Sequence, residues 1–453
     1  MAVAVADDPE ARFRRLPAAL RRWTPSALWR RLRLARRRER WMAENAAACA
    51  PYAKPAAADC LAAGPILAIG DFSGDNGISR AALYEHARLE AEARAAGLGP
   101  VERLDLTDPA LPRHPDPRAD GAPAARLYLL SAPDTYARAL ALVSPASIAR
   151  ARRTGLWVWE TPVLGRDWHF AFDMVHAIWT PSAYSRQAIA AAAPPGVAVS
   201  LRPHTPQLPA GIAAPNRPAL RAALRTALRA RWGIAEDAFL GLAVMDIRSC
   251  PARKNPWAHV AAWAAAFGGR PDRVLILKLR LSKRTAIVRR ELAEMIAAQP
   301  GGSSTIRVVE DFLPEAEMTA LQAGADVYLS LHRAEGYGLN IHECLALGTP
   351  VVATDWSANA EYAPAYAGYH PVPYRLVPHR DWTGHYPDRD FLWAEADIAA
   401  AAETLQDLAA QREVATQAGG GAHKEAGGGA QGEAGGGAPR QAGDLPGGDG
   451  KAS

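Results

Sequence analysis

The chain has 453 residues, of which 49% are hydrophobic and 22% charged, and these values are typical of a globular protein with a sizeable core. They exclude disorder throughout, and no stretch reaches the about 18 uncharged apolar residues that a membrane-spanning helix needs. The four cysteines lie far apart and form no C-x-x-C pair, which argues against a disulfide framework or a cysteine-rich zinc site and fits a reducing compartment.

The N-terminal extension, residues 1–45, carries a large share of the positive charge. Residues 11–41 hold twelve arginines and one acid, Glu39, although the whole chain has a net charge of only +5. The remainder is therefore acidic on balance, and a globally basic nucleic-acid binder is not indicated. Arginines interleaved with leucine and tryptophan over residues 12–41 suit an anionic membrane surface. A solvated extension fits equally well, and nucleic-acid contact fits less well.

The start of the chain lacks the basic, apolar and small-residue order of a secretory signal, which predicts a cytoplasmic protein. Two prolines interrupt the extension, so a continuous helix is predicted only from about residue 26. The alanine-rich residues 46–63 are predicted to form a linker.

Residues 62–205 are predicted to form a first α/β domain, because short apolar runs alternate with helical patterns there. The predicted strands cover residues 66–69, 127–130, 156–159, 177–179 and 197–201, and the clearest helix covers 79–96. Short, uniformly apolar strands separated by helices predict a parallel sheet that is covered on both faces.

The same alternation returns after a proline-rich connector, over residues 218–410. Here the predicted helices cover residues 219–232 and 395–408, and the predicted strands cover 239–245, 274–279, 306–309, 327–330 and 351–354. The predicted fold class is therefore α/β, with two doubly wound domains that face each other across a cleft. Residues 416–453 contain a glycine-rich eight-residue repeat with no large apolar side chain, and we expect this tail to be disordered.

The strongest chemical signal is a strand, a glycine-bearing loop and a helix over residues 329–347. Gly336 and Gly338 allow close backbone approach and positive φ in the loop. The helix that follows offers free amides at its N-terminus, where the helix dipole favours an anion. Glu335 and Glu343 are eight residues apart, so both can flank one ligand, and a carboxylate there suits the paired hydroxyls of a ribose.

This segment resembles the family-four, glycogen-synthase-like glycosyltransferases of bacteria, which have the GT-B fold. The family signature is a glutamate, seven residues and a second glutamate, and here it stands as Ser330-Leu-His-Arg-Ala-Glu-Gly-Tyr-Gly-Leu339 closed by Glu343. Tyr337 replaces a common phenylalanine. The resemblance continues in residues 354–359, where Ala358 replaces a glycine, and extends back to residues 246–256.

The resemblance implies a retaining, metal-independent enzyme that moves a sugar from a nucleotide-sugar donor to a hydroxyl acceptor. It places the donor on Arg253, Lys254, Gly336, Tyr337, Gly338, Leu339 and Glu343. Glu343 would bind ribose, Arg253 and Lys254 the diphosphate, and Glu335 the sugar ring. Cations at the carboxyl end of a strand would stabilise the charge of the departing nucleoside diphosphate. Ser249 stands where the family has an arginine.

The first domain supplies the expected acceptor side. The loop from Gly70 to Arg80 brings Gly74 and Gly77 close to the donor phosphates and the acceptor by the same resemblance, while a dinucleotide-binding fingerprint is the rival interpretation. Glu160, at the end of a predicted strand, and His169 are the weaker catalytic candidates.

No histidine or carboxylate cluster has metal-ligand spacing, so we predict no essential metal and no cofactor besides the donor substrate. The expected partners are a nucleotide sugar, a carbohydrate or lipid-linked glycan acceptor and an anionic membrane surface, with no nucleic acid. An acceptor built into surface polysaccharide would be made at the inner membrane face. Two alternatives stay open: a nucleotide-sugar epimerase of the same architecture, and a non-catalytic scaffold that binds nucleotide sugars.

Overall fold

The computed structural model describes residues 25–427, except 75, 109–122, 207–216, 283–284, 382, 384 and 387–390. The chain divides into two compact units, Met1–Gln406 and Asp407–Ser453. The first unit holds every strand found in the described residues. The described part of the second unit, residues 407–427, is the later part of the last helix.

The first half of the chain forms a parallel six-stranded sheet of order β2-β1-β3-β4-β5-β6. Its strands are β1 (Ile66–Gly70), β2 (Val101–Asp105), β3 (Arg126–Leu130), β4 (Arg152–Leu156), β5 (Ala177–Thr180) and β6 (Ala198–Leu201). Every residue of β1 is buried, because helices cover both faces of this central strand. The strand order reverses beside β1, and this is the point where α/β sheets open a crevice for ligands.

The second half forms another parallel six-stranded sheet, of order β12-β11-β10-β7-β8-β9. Its strands are β7 (Phe239–Asp246), β8 (Arg273–Arg280), β9 (Ile306–Val309), β10 (Val327–Ser330), β11 (Val351–Thr354) and β12 (Tyr369–Val372). An antiparallel hairpin, β13 (Tyr374–Pro378) with β14 (Leu392–Ala396), follows it. The predicted α/β fold class, with two doubly wound parallel sheets, is confirmed.

Helices connect and cover the strands. They are α1 (Pro25–Cys49), α2 (Gly77–Ala95), α3 (Tyr136–Leu140), α4 (Ala183–Ala190), α5 (Arg217–Trp232), α6 (Pro251–Lys254), α7 (Pro256–Phe267), α8 (Ala286–Ala297), α9 (Gly302–Thr305), α10 (Glu315–Gly324), α11 (Leu339–Ala346), α12 (Asn359–Tyr362) and α13 (Ile398–Gly427). Short 3-10 helices add to them, and the longest one within the described residues is Arg166–Met174. No helix among the described residues is long and apolar enough to span a membrane.

Three sequence predictions about the elements are wrong. The strand predicted at 156–159 ends at Leu156, so the apolar residues after it belong to a loop. The helix predicted at 395–408 begins only at Ile398, because Glu395 belongs to β14. The helix also runs on to Gly427, so the first part of the predicted disordered tail is helical; extending a formed helix costs far less than nucleating one. Residues 428–453 lie outside the described residues.

The predictions also missed two of the four edge strands of the parallel sheets, β2 and β12. β2 lies at the edge of its sheet and keeps only its first residue fully buried, so it lacks the apolar run of a central strand. β12 contains Pro371, a residue that sheets tolerate at an edge.

The described end of the arginine-rich extension is docked on the first domain. Helix α1 continues into the predicted linker and ends at Cys49, which is fully buried in the core of the first sheet. The chain then follows the 3-10 helix Arg166–Met174, since the Lys54 backbone N–H donates to the Asp173 carbonyl at 2.9 Å. The described part of the extension is therefore part of the first domain.

Candidate active site

A cleft of about 1960 Å³ lies between the two sheets. One wall comes from the first domain and includes Gly77, Trp159 and Glu160. The opposite wall comes from the second domain and includes Lys254 and the loop from Glu335 onward. Both walls are built from segments that follow the carboxyl ends of parallel strands, which is where α/β proteins hold their ligands.

Glu335 and Lys254 form a buried ion pair on the second wall. The Lys254 ammonium donates to Glu335 Oε1, and Arg253 Nη1 lies 3.2 Å from the same oxygen. Burial alone would favour the protonated acid, but the charges of Lys254 and Arg253 outweigh it and hold the pKa of Glu335 well below its ordinary range. The site therefore keeps a carboxylate and an ammonium side by side at the cleft.

Arg253 bridges the two walls. Its side chain is 1% exposed, and Nη2 lies 2.8 Å from Glu160 Oε1 across the cleft. Nη1 also donates to the Ala334 carbonyl at 2.9 Å. The Tyr386 hydroxyl donates to the other oxygen of Glu160. The predicted diphosphate ligand Arg253 thus has its guanidinium committed to protein groups, and Lys254 is the more accessible cation.

The backbone of the glycine loop has the predicted positive φ at Gly338 but not at Gly336. Gly338 has φ of +86° at the N-cap of α11, a conformation that only glycine adopts at no steric cost. Among the described residues, no side chain caps the first amides of α11. Ser357, with φ of +70°, accepts the Glu335 N–H at 2.9 Å and fixes the start of the loop.

The backbone of Gly336 packs directly against the first domain and leaves no room for a side chain. A Cβ atom there would lie 2.7 Å from Val158 Cγ1 and 2.9 Å from the Trp159 carbonyl oxygen. The Ser182 hydroxyl, which also caps α4, donates to the Gly336 carbonyl at 2.7 Å. The glycine loop is therefore held directly against the first domain.

Glu343 is buried in α11 and is not among the residues that line the cleft. Its carboxylate lies 2.5 Å from Arg80 Nη1, and it also accepts from the Tyr84 hydroxyl and the Gln322 amide, each at 2.8 Å. Arg80 and Tyr84 belong to α2 of the first domain. The predicted ribose ligand is thus occupied by an inter-domain ion pair in this structure.

Tyr337 and Leu339, both predicted to bind the donor, line the cleft. The Tyr337 hydroxyl donates to the His204 carbonyl at 2.8 Å. The Tyr337 ring stacks on the Tyr362 ring, with the ring centroids 4.8 Å apart. His204 lines the cleft too, and burial lowers the pKa of His204 to about 3, which keeps its ring neutral.

Two predicted residues do not reach the cleft. His169 is exposed on the 3-10 helix Arg166–Met174, contrary to the expectation that it enters the cleft; Trp168 lines the cleft instead. Gly74 packs against Asp71, whose Oδ1 accepts the Gly74 N–H at 3.1 Å, so of the two loop glycines only Gly77 lines the cleft. Glu160 does line it, although it lies in the loop after β4 rather than in a strand.

Sequence reasoning missed several cleft residues. Arg37, Arg38 and Trp41 of α1 line the cleft, as do Tyr386 and Arg248. Only Arg248 had a local signal, because it follows β7 directly; it pairs with Asp246 at 2.6 Å. The other residues lie at the cleft because their segments pack against parts of the chain that are distant in sequence, and the local sequence does not indicate such contacts.

No cluster of three or more histidine, cysteine or carboxylate side chains could hold a metal among the described residues. Asp388 and Asp390, which form an Asp-x-Asp phrase in the sequence, lie outside the described residues. The cations and amides at the cleft are instead groups that bind anions.

Residues 287–408 match the sequence profile of the family described as Glycosyl transferases group 1. The matched region contains the glycine loop and both glutamates. No curated protein matches the chain in sequence.

Several solved structures resemble the fold. Anabaena Alr3699/HepE in complex with UDP is 16% identical, with a TM-score of 0.44 over 77% of this chain and 95% of that one. A glycosyltransferase from Rickettsia africae is 11% identical, with a TM-score of 0.48 over 78% and 92%. WaaG, a glycosyltransferase involved in lipopolysaccharide biosynthesis, is 14% identical, with a TM-score of 0.46 over 77% and 90%. All three TM-scores lie below 0.5.

Proposed function

We propose that this chain is a glycosyltransferase that moves a sugar from a nucleotide-sugar donor to a hydroxyl acceptor. The observation that carries the proposal is the Lys254–Glu335 pair at the cleft, beside the uncapped amides of α11. The profile match over residues 287–408 supports it, because that match spans the same loop.

The donor binds to the second domain. Its diphosphate lies against Lys254 and the first amides of α11, where a cation and a helix N-terminus stabilise the charge that develops as the nucleoside diphosphate leaves. Glu335 contacts the sugar ring. Ribose hydroxyls replace Arg80 on Glu343, so donor binding competes with the inter-domain ion pair.

The reaction retains anomeric configuration and needs no metal or further cofactor. Leaving-group departure and acceptor attack take place on one face of the sugar, through an oxocarbenium-like state. Glu160 lies on the acceptor wall, held by Arg253 and Tyr386, and positions the acceptor. Lys254 supplies the positive charge that a metal would otherwise provide.

The acceptor belongs to surface polysaccharide or another glycoconjugate made at the cytoplasmic face of a membrane. The arginine-rich α1 supports this, since cationic helices bind anionic lipid surfaces.

A thermal-shift screen across UDP-, GDP- and ADP-sugars tests the proposal. A specific donor at 100 times its Kd stabilises the folded state by about 2.7 kcal/mol, so one base should raise the melting temperature and the others should not. Transfer to an added acceptor then confirms catalysis. Conversion of the donor without an acceptor would indicate an epimerase, and donor binding with no turnover under any condition would indicate a scaffold.

A further inference from the structure

The first-domain wall of the cleft carries cations that the donor does not use. Arg37 and Arg38 of α1 line this wall together with Arg166, which begins the 3-10 helix Arg166–Met174. The donor cation Lys254 belongs to the opposite wall. These arginines therefore lie on the side of the cleft that receives the acceptor.

Their positions are held by the fold. Arg38 Nη2 lies 2.5 Å from Asp167 Oδ1, and Trp41 packs edge-on against Phe170 with ring centroids 6.4 Å apart. The end of the same helix is anchored by the fully buried Cys49. A side chain on this part of α1 thus has a defined place in the cleft.

Two of the arginines are available to a ligand. Arg38 is neutralised by Asp167, whereas Arg37 and Arg166 are exposed and form no ion pair among the described residues. Glu39 and Asp134 reach the same cleft, so the wall is not uniformly positive. Such a wall selects a compact anion rather than a long polyanion.

We propose, resting on the glycosyltransferase function above, that Arg37 and Arg166 form an anion subsite and that the acceptor carries a phosphate ester. Guanidinium groups match phosphate oxygens with paired hydrogen bonds, which gives the subsite its selectivity. Trp41 and Met42 follow one helical turn beyond Arg37 and Arg38 and line the same cleft, so an apolar part of the acceptor can lie beside its phosphate.

Direct binding to the full-length protein tests this without any donor. Glucose 6-phosphate and octyl phosphate, the latter below its micelle concentration, are titrated calorimetrically beside glucose and octyl glucoside. The variant R37Q/R166Q is compared with R36Q/R40Q, which also removes two positive charges. Arg36 and Arg40 are exposed residues of α1 that do not line the cleft.

We expect R37Q/R166Q to weaken phosphate binding at least tenfold and R36Q/R40Q to weaken it less than twofold, with R37K/R166K retaining part of the affinity. Binding of octyl phosphate alone identifies a lipid-linked phosphate, and binding of glucose 6-phosphate identifies a sugar phosphate. Equal weakening in both double variants, or no binding of either phosphate by the wild type, overturns the subsite. Because no donor is present, this outcome is independent of the donor screen.

Discussion

At the scale of single residues, the pair formed by Lys254 and Glu335 stands out because both charges are largely withdrawn from water. Their side chains are 17% and 12% exposed. Removing Glu335 would leave Lys254 without this carboxylate, and breaking a buried pair in this way costs up to about 3–5 kcal/mol. Removing Lys254 costs less, because Arg253 Nη1 stays 3.2 Å from Glu335 Oε1. A charge pair of this kind at a cleft is expected where a ligand later replaces one of the contacts.

Buried neutral histidines predict how stability depends on pH. Burial lowers the pKa of His259 to about 4, and its ring accepts the Leu331 N–H while facing the Asn255 carbonyl. Below pH 6.5 the unfolded chain binds a proton that the folded chain excludes, so stability falls as the pH falls from 7 toward 4. We expect His259 alone to account for about 2 kcal/mol between pH 7 and pH 5.

Melting temperatures of wild type and His259→Gln at pH 7 and pH 5 check this. The variant should show a smaller decline, and His169→Gln, at an exposed position, should keep the wild-type decline. An unchanged decline in His259→Gln would show that this histidine is not kept neutral by the fold.

At the scale of elements, the glycine loop illustrates what local sequence reveals. The positive φ of Gly338 and the helix after it were predictable, because they depend on neighbouring residues. The contacts of Glu343 with α2 were not, since Arg80 lies 263 residues away and meets it only when the two domains approach. The contact of α1 with Asp167 could not be predicted for the same reason. The run of arginines indicates a positive charge but does not show which residue Arg38 pairs with.

The close approach at Gly336 gives a test of that loop. We expect Gly336→Ala to cost about 1–3 kcal/mol, because the added Cβ meets the Trp159 carbonyl, which cannot rotate away. Thermal unfolding measures this against Gly99→Ala, where nothing lies within 4 Å of the new Cβ. Equal effects of the two substitutions would contradict a tight contact between the loop and the first domain.

Helix α1 also gives a prediction at this scale. Each arginine near an anionic bilayer contributes about 1 kcal/mol to binding. We therefore expect Arg30→Gln/Arg31→Gln/Arg33→Gln to weaken cosedimentation with phosphatidylserine vesicles about a hundredfold at low salt. Uncharged phosphatidylcholine vesicles serve as the control. Equal binding of wild type and variant to both vesicles would remove the proposed membrane role.

At the scale of the whole molecule, the two domains are joined by side-chain contacts, one of which involves the proposed ribose ligand Glu343. Glu361 accepts the N–H groups of Ala183 and Tyr184 at 2.7 and 2.6 Å, so a carboxylate of the second domain caps helix α4 of the first. The Arg80–Glu343 pair joins the same domains from α2. Under the proposed function, donor binding at Glu343 is therefore coupled to the contact between the domains.

This coupling predicts opposite effects of two substitutions. Arg80→Met removes the competitor for Glu343 and should tighten donor binding several-fold while lowering the melting temperature. Glu343→Gln weakens hydrogen bonds to the ribose and should loosen donor binding about tenfold, since bonds to a charged group contribute about 1.5–3 kcal/mol. Calorimetric titration measures the donor affinity of both variants. Weaker donor binding in Arg80→Met would contradict the proposal that ribose hydroxyls replace Arg80 on Glu343.

The most direct test of the account is the affinity of Lys254→Met for the nucleotide sugar that the thermal-shift screen selects. Arg289→Met is the matched control, because Arg289 also pairs with a glutamate of the second domain but does not line the cleft. We predict a loss of about a hundredfold, or about 3 kcal/mol, for Lys254→Met and wild-type affinity for Arg289→Met. Unchanged donor affinity in a folded Lys254→Met protein would contradict a nucleotide-sugar site at this pair.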